Sequence, residues 1–274
     1  MLAGLNKIDE KSNIEYFSPP DLTEIKTDAE FFAQIIYENI NEVISSDVNN
    51  EHPLIIHIKP NFIKNLALKI VNNPSKSIII GVTGESASGK TTLALNTLKA
   101  CLSEERKGFY TLIACDDYFY DASKKLKEAG SYEALFATGF SLDIPEAVNL
   151  DLMREHICSI AQGKTIYSPE HNFVTCVTTF NKKEKKPAKV ILTEGLFALN
   201  EKLREILDIA IYVHTPAEII KDRWYKRTAS RGKVGKAADM AFENVTKEAQ
   251  KYVRPTMDNA DIIVSGLVSS EYIE

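Results

Sequence analysis

The stretch SIIIGVTGESASGKTTL (77–93) decides the fold. Its first half is an apolar, β-branched run. Its second half holds Gly84-Glu85-Ser86-Ala87-Ser88-Gly89-Lys90-Thr91, which satisfies G-x-x-x-x-G-K-[S/T] at every position and is followed by Thr92. The chain has only 12 glycines in 274 residues, yet Gly81, Gly84 and Gly89 fall together here. Gly84 opens the loop and Gly89 closes it, so that successive backbone N–H groups can turn inward toward phosphate oxygens. Gly81 lies in the strand and has no such explanation. A helix starting near Gly89 adds the positive end of its dipole. Lys90 reaches β- and γ-phosphates, and the Thr91 hydroxyl helps to hold Mg²⁺. A chance match in a chain of this length has a probability on the order of one percent. The strand-loop-helix setting lowers it further. The loop therefore predicts binding of a nucleoside triphosphate, ATP or GTP.

Outward from this loop, short apolar runs alternate with helical stretches. SIIIGVT (77–83), YTLIAC (110–115), KVILTE (189–194), DIAIYVH (208–214) and DIIVS (261–265) read as buried strands. Helical patterns lie between them at about 89–105, 145–162, 216–230 and 238–252. Strands apolar on both faces and separated by helices predict an α/β fold, a parallel sheet of about five strands flanked by helices. Residues 164–187 lack a helical period and read as a small extended or hairpin subdomain beside the main sheet. Within them, KKEKK (182–186) reads as a solvated turn. Residues 1–75 form an N-terminal extension, mainly helical, with helices expected at 27–44 and 61–73 and a short strand within HPLIIHIKP (52–60). The domain that holds the glycine-rich loop then spans 76–274.

The bulk properties narrow the class. A net charge of −5 argues against a nucleic-acid or membrane-surface role. Four scattered cysteines without C-x-x-C spacing argue against a zinc site and fit a reduced compartment. The N-terminus has no long apolar h-region, and no apolar run is long enough to span a bilayer. These features predict a cytoplasmic protein.

In open parallel sheets, ligands sit beyond the carboxyl ends of the strands. Asp116 and Asp117 follow YTLIAC, and Glu194 follows KVILT. A carboxylate there can hold Mg²⁺ or accept a proton from a substrate hydroxyl. The structural alternatives are a helix cap for either aspartate and an ion pair for Glu194. Asp143, before Ile-Pro in FSLDIPEAVNLDLMREHI (140–157), binds substrate hydroxyls or caps the helix that follows.

GESASGKTT, CDDYFYD, SLDIPEAVNLDLMREHI, VILTEGLFAL, YVHTPAEIIKDRWYKRTASRG and VRPTMDNADIIVSG occur in this order. From about residue 77 to 266 the chain resembles the uridine kinase branch of the phosphoribulokinase and uridine kinase superfamily. The resemblance implies a P-loop kinase that transfers the γ-phosphate of ATP or GTP to a hydroxyl, first of all that of a nucleoside. It implies that Asp116 accepts the proton of a ribose 5′-hydroxyl and that Asp143 holds the ribose hydroxyls. It places Glu194 near Mg²⁺. It puts Arg223, Arg227 and Arg231 in an arginine-rich lid, about 215–237, that closes over the phosphates. Arginine suits that role because its planar fork binds phosphate oxygens in pairs.

The chain also departs from the family. Where the family reads like P-x-Y-D-x-x-x-H-x-R, this sequence has PEHNFVTCVT (169–178). His171, Asn172, Cys176 and Thr178 stand in place of tyrosine, aspartate, histidine and arginine. In the lid, Trp224 replaces an arginine and Thr228 an aspartate. The resemblance thus supports phosphoryl transfer better than it supports uridine. His171 and Phe173 are pocket candidates, with a structural histidine and a core aromatic as the alternatives. Tyr118 and Phe119 line the pocket or the core, and Trp224 packs on a neighbouring element or covers the adenine. The expected partners are a nucleoside triphosphate and a small hydroxyl-bearing acceptor. A sugar phosphate, glycerate, pantothenate or nicotinamide riboside is the alternative acceptor, and a non-catalytic nucleotide-binding module the alternative class. Self-association is one of the roles open to the N-terminal extension.

Overall fold

The computed structural model describes residues 55–59, 62–73, 76–94, 110–230 and 235–267. The helix expected at 27–44 and the lid residue Arg231 lie outside these residues.

Eight strands are described: β1 (Ile55–Ile58), β2 (Ile78–Gly84), β3 (Tyr110–Ala114), β4 (Ile166–Asn172), β5 (Val177–Lys185), β6 (Val190–Glu194), β7 (Ile209–His214) and β8 (Ile262–Ser265). Six form one sheet in the order β1-β8-β7-β2-β6-β3, and β4 and β5 form a separate antiparallel hairpin. The five expected strands are all present and mutually parallel. The sheet has six strands rather than about five because Ile55–Ile58, within the short run expected to form a strand, joins it. β1 pairs antiparallel with β8, Ile58 opposite Ile262.

The helices are α1 (Phe62–Asn72), α2 (Lys90–Thr92, the described start), α3 (Ser123–Ala129), α4 (Tyr132–Ala137), α5 (Leu150–Ala161), α6 (Glu201–Arg204), α7 (Ala217–Ser230) and α8 (Gly235–Tyr252). The helical pattern at 145–162 is interrupted. Pro145–Ala147 make a 3₁₀ turn, Val148 bridges to Phe119, and Asn149 accepts a hydrogen bond from Leu152 N to start α5 afresh.

Strand side chains alternate between two apolar layers, as the two-residue repeat of a pleated strand requires. Ile79, Ile113 and Ile191 join Met153, Ile157 and Ile160 of α5 on one face. Ile80, Val82, Leu192, Val213 and Val264 pack on the other with Ala94. Each such fully buried side chain is worth about 1.5–3 kcal/mol, so the sheet is held from both sides. Gly81 finds its reason here: a Cβ would collide with Leu207 and lie 3.2 Å from Leu199 Cδ1.

α1 is fastened to the sheet by charge. Lys69 and Lys76 both pair with the buried carboxylate of Asp208, which also accepts a hydrogen bond from Ile79 N at 2.9 Å. The KKEKK stretch is not a solvated turn. Its first four residues extend β5, where strand pairing lets Lys183 reach Asp117 at 2.6 Å and Glu170 at 3.3 Å.

Candidate active site

Strand register gathers the acidic and phosphate-loop residues. Glu194, at the end of β6, lies level with Val82 of β2 on one side and Ala114 of β3 on the other. The glycine loop leaves β2 two residues past Val82, and Asp116 stands two residues past Ala114. Residues that are distant in sequence thus meet at one end of the sheet.

Gly89 closes the loop at φ 96°, a left-handed conformation, before the helix starts at Lys90. Ala87 is also left-handed, at φ 69°. Lys90 is buried, and its Nζ donates to Glu85 O at 3.4 Å. Burial pulls its pKa down, while Glu194 and Asp116 push it back up. Thr91 Oγ1 donates to Glu194 Oε2 at 3.2 Å. Burial raises the Glu194 carboxyl, and Lys90 opposes the rise. Thr92 is exposed on the first helical turn.

Gly195 follows Glu194 in the turn after β6. Its φ is +143°, and a Cβ there would lie 2.8 Å from Cys115 Sγ. Gly195→Ala is expected to cost at least about 2 kcal/mol through overpacking and backbone strain, read as a shift of the urea midpoint. An unchanged midpoint would show that the loop after β6 can give way.

Asp116 and Asp117 lie in a 3₁₀ turn, Cys115–Tyr118, directly after β3. Asp116 is exposed. Asp117 is occupied by Lys183. Asp143 sits in the loop before Pro145, with its N–H on Ser141 Oγ, which also accepts from Asn244 of α8. Its carboxyl is raised to about 6 by burial first, with Lys90 and Arg227 opposing and Asp116 and Glu248 adding to the rise. The structure therefore brings Lys90, Thr91, Asp116, Asp143 and Glu194 into one cluster. Asp143 is not the helix cap, which falls to Asn149.

The residues expected on the acceptor side divide. Tyr118 does not line the pocket: it is buried in the core, and its hydroxyl meets His156 Nδ1 of α5 at 2.9 Å. The 3₁₀ turn aims it inward while leaving Asp116 outside. His171 packs against Phe119 and Phe173, with ring centroids 5.3 and 4.9 Å away. Thr178 Oγ1 uses its one proton on Phe119 O at 2.7 Å, so it accepts from His171 Nδ1–H at 2.8 Å. That fixes the tautomer. Nε2 is then an acceptor, buried and without a hydrogen-bond partner. Burial also lowers the His171 pKa, against the pull of Asp116, Asp121 and Asp117. Phe173 is 39 % exposed on the hairpin turn.

The other substituted positions are engaged internally. Thr178 N donates to Asp121 at 2.9 Å. Cys176 Sγ lies 3.0 Å from Tyr132 Oη. Asn172 Oδ1 accepts from Val174 N and Thr175 N.

In the lid helix α7, Arg227 Nη2 donates to Ser86 Oγ at 2.5 Å. Arg223 Nη1 donates to Gly266 O at 2.7 Å, and a Cβ on Gly89 would lie 3.6 Å from it. Arg223 thus stands beside the phosphate loop. The reason is helical spacing: Arg223 and Arg227 lie four residues apart on one face. Trp224 is buried against Phe242 of α8, 5.3 Å between centroids, and belongs to the α7–α8 contact. Ser88 O accepts from Thr215 Oγ1 at 2.8 Å, which ties the loop to the end of β7. Sequence reasoning assigned no role to Arg254, which lies within VRPTMDNADIIVSG and forks onto Glu85, and missed Asn244, which stands in no motif.

A phosphate loop at the carboxyl end of a parallel sheet, beside a strand-end carboxylate and a helix carrying arginines, defines a P-loop kinase. The Phosphoribulokinase / Uridine kinase family matches residues 79–271, and the chain belongs to that family. It is a phosphotransferase with a hydroxyl group as acceptor and ATP as co-substrate. It is 30 % identical over 207 residues to a uridine kinase of Vibrio vulnificus, covering 71 % of this chain and 89 % of that one. It is 30 % identical over 189 residues to a uridine kinase of Staphylococcus aureus, with 68 % and 86 % covered. The phosphoribulokinase of Rhodobacter spheroides shares the fold, with a TM-score of 0.52 at 17 % identity over 69 % of this chain and 70 % of that one. Among the described residues, no helix is long and apolar enough to cross a membrane.

Proposed function

We propose that the chain transfers the γ-phosphoryl group of ATP to the 5′-hydroxyl of a ribonucleoside, a pyrimidine nucleoside first. The observation that carries this is the cluster of Lys90, Asp116, Asp143 and Glu194 at the ends of β2, β3 and β6. The uridine kinases among its relatives supply the substrate class. The acceptor oxygen forms a bond to the γ-phosphorus as the bond from that phosphorus to the β,γ-bridging oxygen breaks, and ADP leaves. Asp116, exposed toward the site, orients the hydroxyl and takes its proton. Phosphoryl transfer has a loose transition state, so a weakly basic carboxylate is adequate. Lys90, with Arg227, steadies the charge on the transferring oxygens. Asp143 holds the acceptor's remaining hydroxyls.

Mg²⁺ fits this site. Thr91 and Glu194 offer hard oxygen donors 3.2 Å apart. Among the described residues no group of three or more His, Cys, Asp or Glu can hold a metal. Phosphate and water oxygens would therefore complete the shell, as Mg²⁺ prefers. When bound, the ion neutralises charge on the β- and γ-phosphates.

Asp143 makes the acceptor step pH-dependent. A carboxyl raised to about 6 is a proton donor below that pH and a charged acceptor above it. Binding of hydroxyls needs the charged form, so kcat/KM for the acceptor is expected to fall about tenfold per pH unit below about 6. Asp143→Asn should remove this limb. A flat wild-type profile from pH 5 to 7, or the same limb in Asp143→Asn, would remove Asp143 from acceptor binding.

A second acceptor class is favoured by the hairpin. Thr178, Cys176 and Asn172, which replace the family's polar set, are engaged in bonds within the chain. That leaves His171 Nε2 and Asp143 to read the acceptor. Coupled ADP release, screened over nucleosides, sugar phosphates, glycerate, pantothenate and nicotinamide riboside, decides between the two. Turnover with a nucleoside supports the first reading, and turnover with only one of the others supports the second. ADP release that no acceptor stimulates would overturn both.

A further inference from the structure

The phosphate loop carries an acidic residue, and a distant arginine disarms it. Glu85 follows the first loop glycine. Its backbone carbonyl lies under the Lys90 ammonium and accepts from Ser88 N at 3.0 Å, so it is part of the cradle itself. A free carboxylate at this point would face an incoming polyphosphate with like charge. Its side chain instead meets Arg254, which opens the 3₁₀ segment Arg254–Asn259 before β8. Arg254 Nε donates to Glu85 Oε1 at 2.8 Å and Nη2 to Oε2 at 3.1 Å, across 169 positions of sequence. This is a fork-on-fork pair, the geometry in which arginine fixes direction as well as charge. The Glu85 side chain is 13 % exposed, so the pair is only weakly screened by solvent. Tyr212 and His214 of β7 feel both charges, which places the pair on the β7 side of the loop. Burial lowers the pKa of His214, so no third cation is supplied from there at neutral pH.

We propose that Arg254 is a positioning residue for the nucleotide: it draws the Glu85 carboxylate out of the path of the phosphates and cancels its charge. Affinity for ATP then depends on a residue that touches no part of the nucleotide. The role rests on the reading of residues 84–91 as the ATP loop and adds to it the control of one negative charge within that loop. The Asp116, Asp143 and Glu194 carboxylates already crowd this end of the sheet, and a further uncompensated charge would weigh directly against ATP.

Titration calorimetry with Mg²⁺–ATP tests the role in four proteins: wild type, Arg254→Ala, Glu85→Gln and the double variant. Arg254→Ala is expected to raise the Kd for ATP at least tenfold, and less so at 0.5 M salt, where screening shortens the reach of the freed charge. Glu85→Gln in that background should return the Kd to within about twofold of Glu85→Gln alone, because no charge remains to be held aside. A Kd for Arg254→Ala within twofold of wild type overturns the proposal. So does a rise that Glu85→Gln leaves in place, which marks a purely structural arginine. If Arg254→Ala does not fold, Glu85→Gln alone decides: tighter ATP binding supports the role, and unchanged or weaker binding overturns it. Wild-type protein that binds no ATP would instead refute the loop reading, and this proposal with it.

Discussion

Asp116→Asn is expected to lower kcat about a thousandfold while the Kd for ATP stays within a few-fold of wild type. The substitution keeps size and shape and removes only the ability to take a proton. Asp116 stands two residues past the end of β3, exposed, and the register sets that strand end, Ala114, level with Glu194. Its neighbour Asp117 is held by Lys183 and cannot take over without breaking that pair. Proton transfer by a placed side chain is commonly worth about 10²–10⁴-fold, and a thousandfold is about 4 kcal/mol of barrier. Steady-state kinetics with the acceptor found in the screen, together with ATP titration, reads both halves. Wild-type turnover would exclude Asp116 from the chemistry.

Lys90→Ala should damage the enzyme in a different way. Lys90 is buried in a group of three carboxylates; burial pulls its pKa down, and Glu194 and Asp116 oppose that pull. Its removal leaves those carboxylates without their main counter-charge. Breaking a buried charge pair from one side commonly costs about 3–5 kcal/mol. We expect kcat/KM for ATP to fall by at least about a hundredfold. The same loss should push the Asp143 carboxyl above its value of about 6, because Lys90 is the largest influence holding it down. The acidic limb of the acceptor profile would then move to higher pH. A limb that stays in place would mean that Lys90 and Asp143 do not share a field.

The fold was readable because its strands are buried on both faces and its helices are periodic. SIIIGVT, KVILTE and DIAIYVH each lie within a residue or two of the observed β2, β6 and β7. What escaped was pairing that no local pattern encodes. IIHI looks the same whether it lies in a loose extension or on the edge of the sheet, and only β8 decides. KKEKK looks solvated because its charges are many, yet one lysine is drawn to Asp117 by the hairpin register. The nucleotide side of the site was legible as a contiguous motif. The acceptor side was legible only in part. The choice for Tyr118 between pocket and core was not legible, because a 3₁₀ turn sends adjacent residues to opposite sides. The pairing of Arg254 with Glu85 had no signal, since the two lie 169 positions apart.

The antiparallel strand β1 has a consequence for how the chain behaves when shortened. A parallel sheet that ended at β8 would offer a row of unpaired N–H and C=O groups beside Ile262, Ile263 and Val264. β1 occupies that row, with Ile55 opposite Val264 and Lys59 N–H on Asp261 O at 2.9 Å. An open, apolar strand edge is a template for joining further chains. Cutting the chain at residue 76, where the nucleotide-binding part begins by sequence, would therefore uncover an adhesive margin. Residues 55–59 act as a selvedge that stops the sheet from growing.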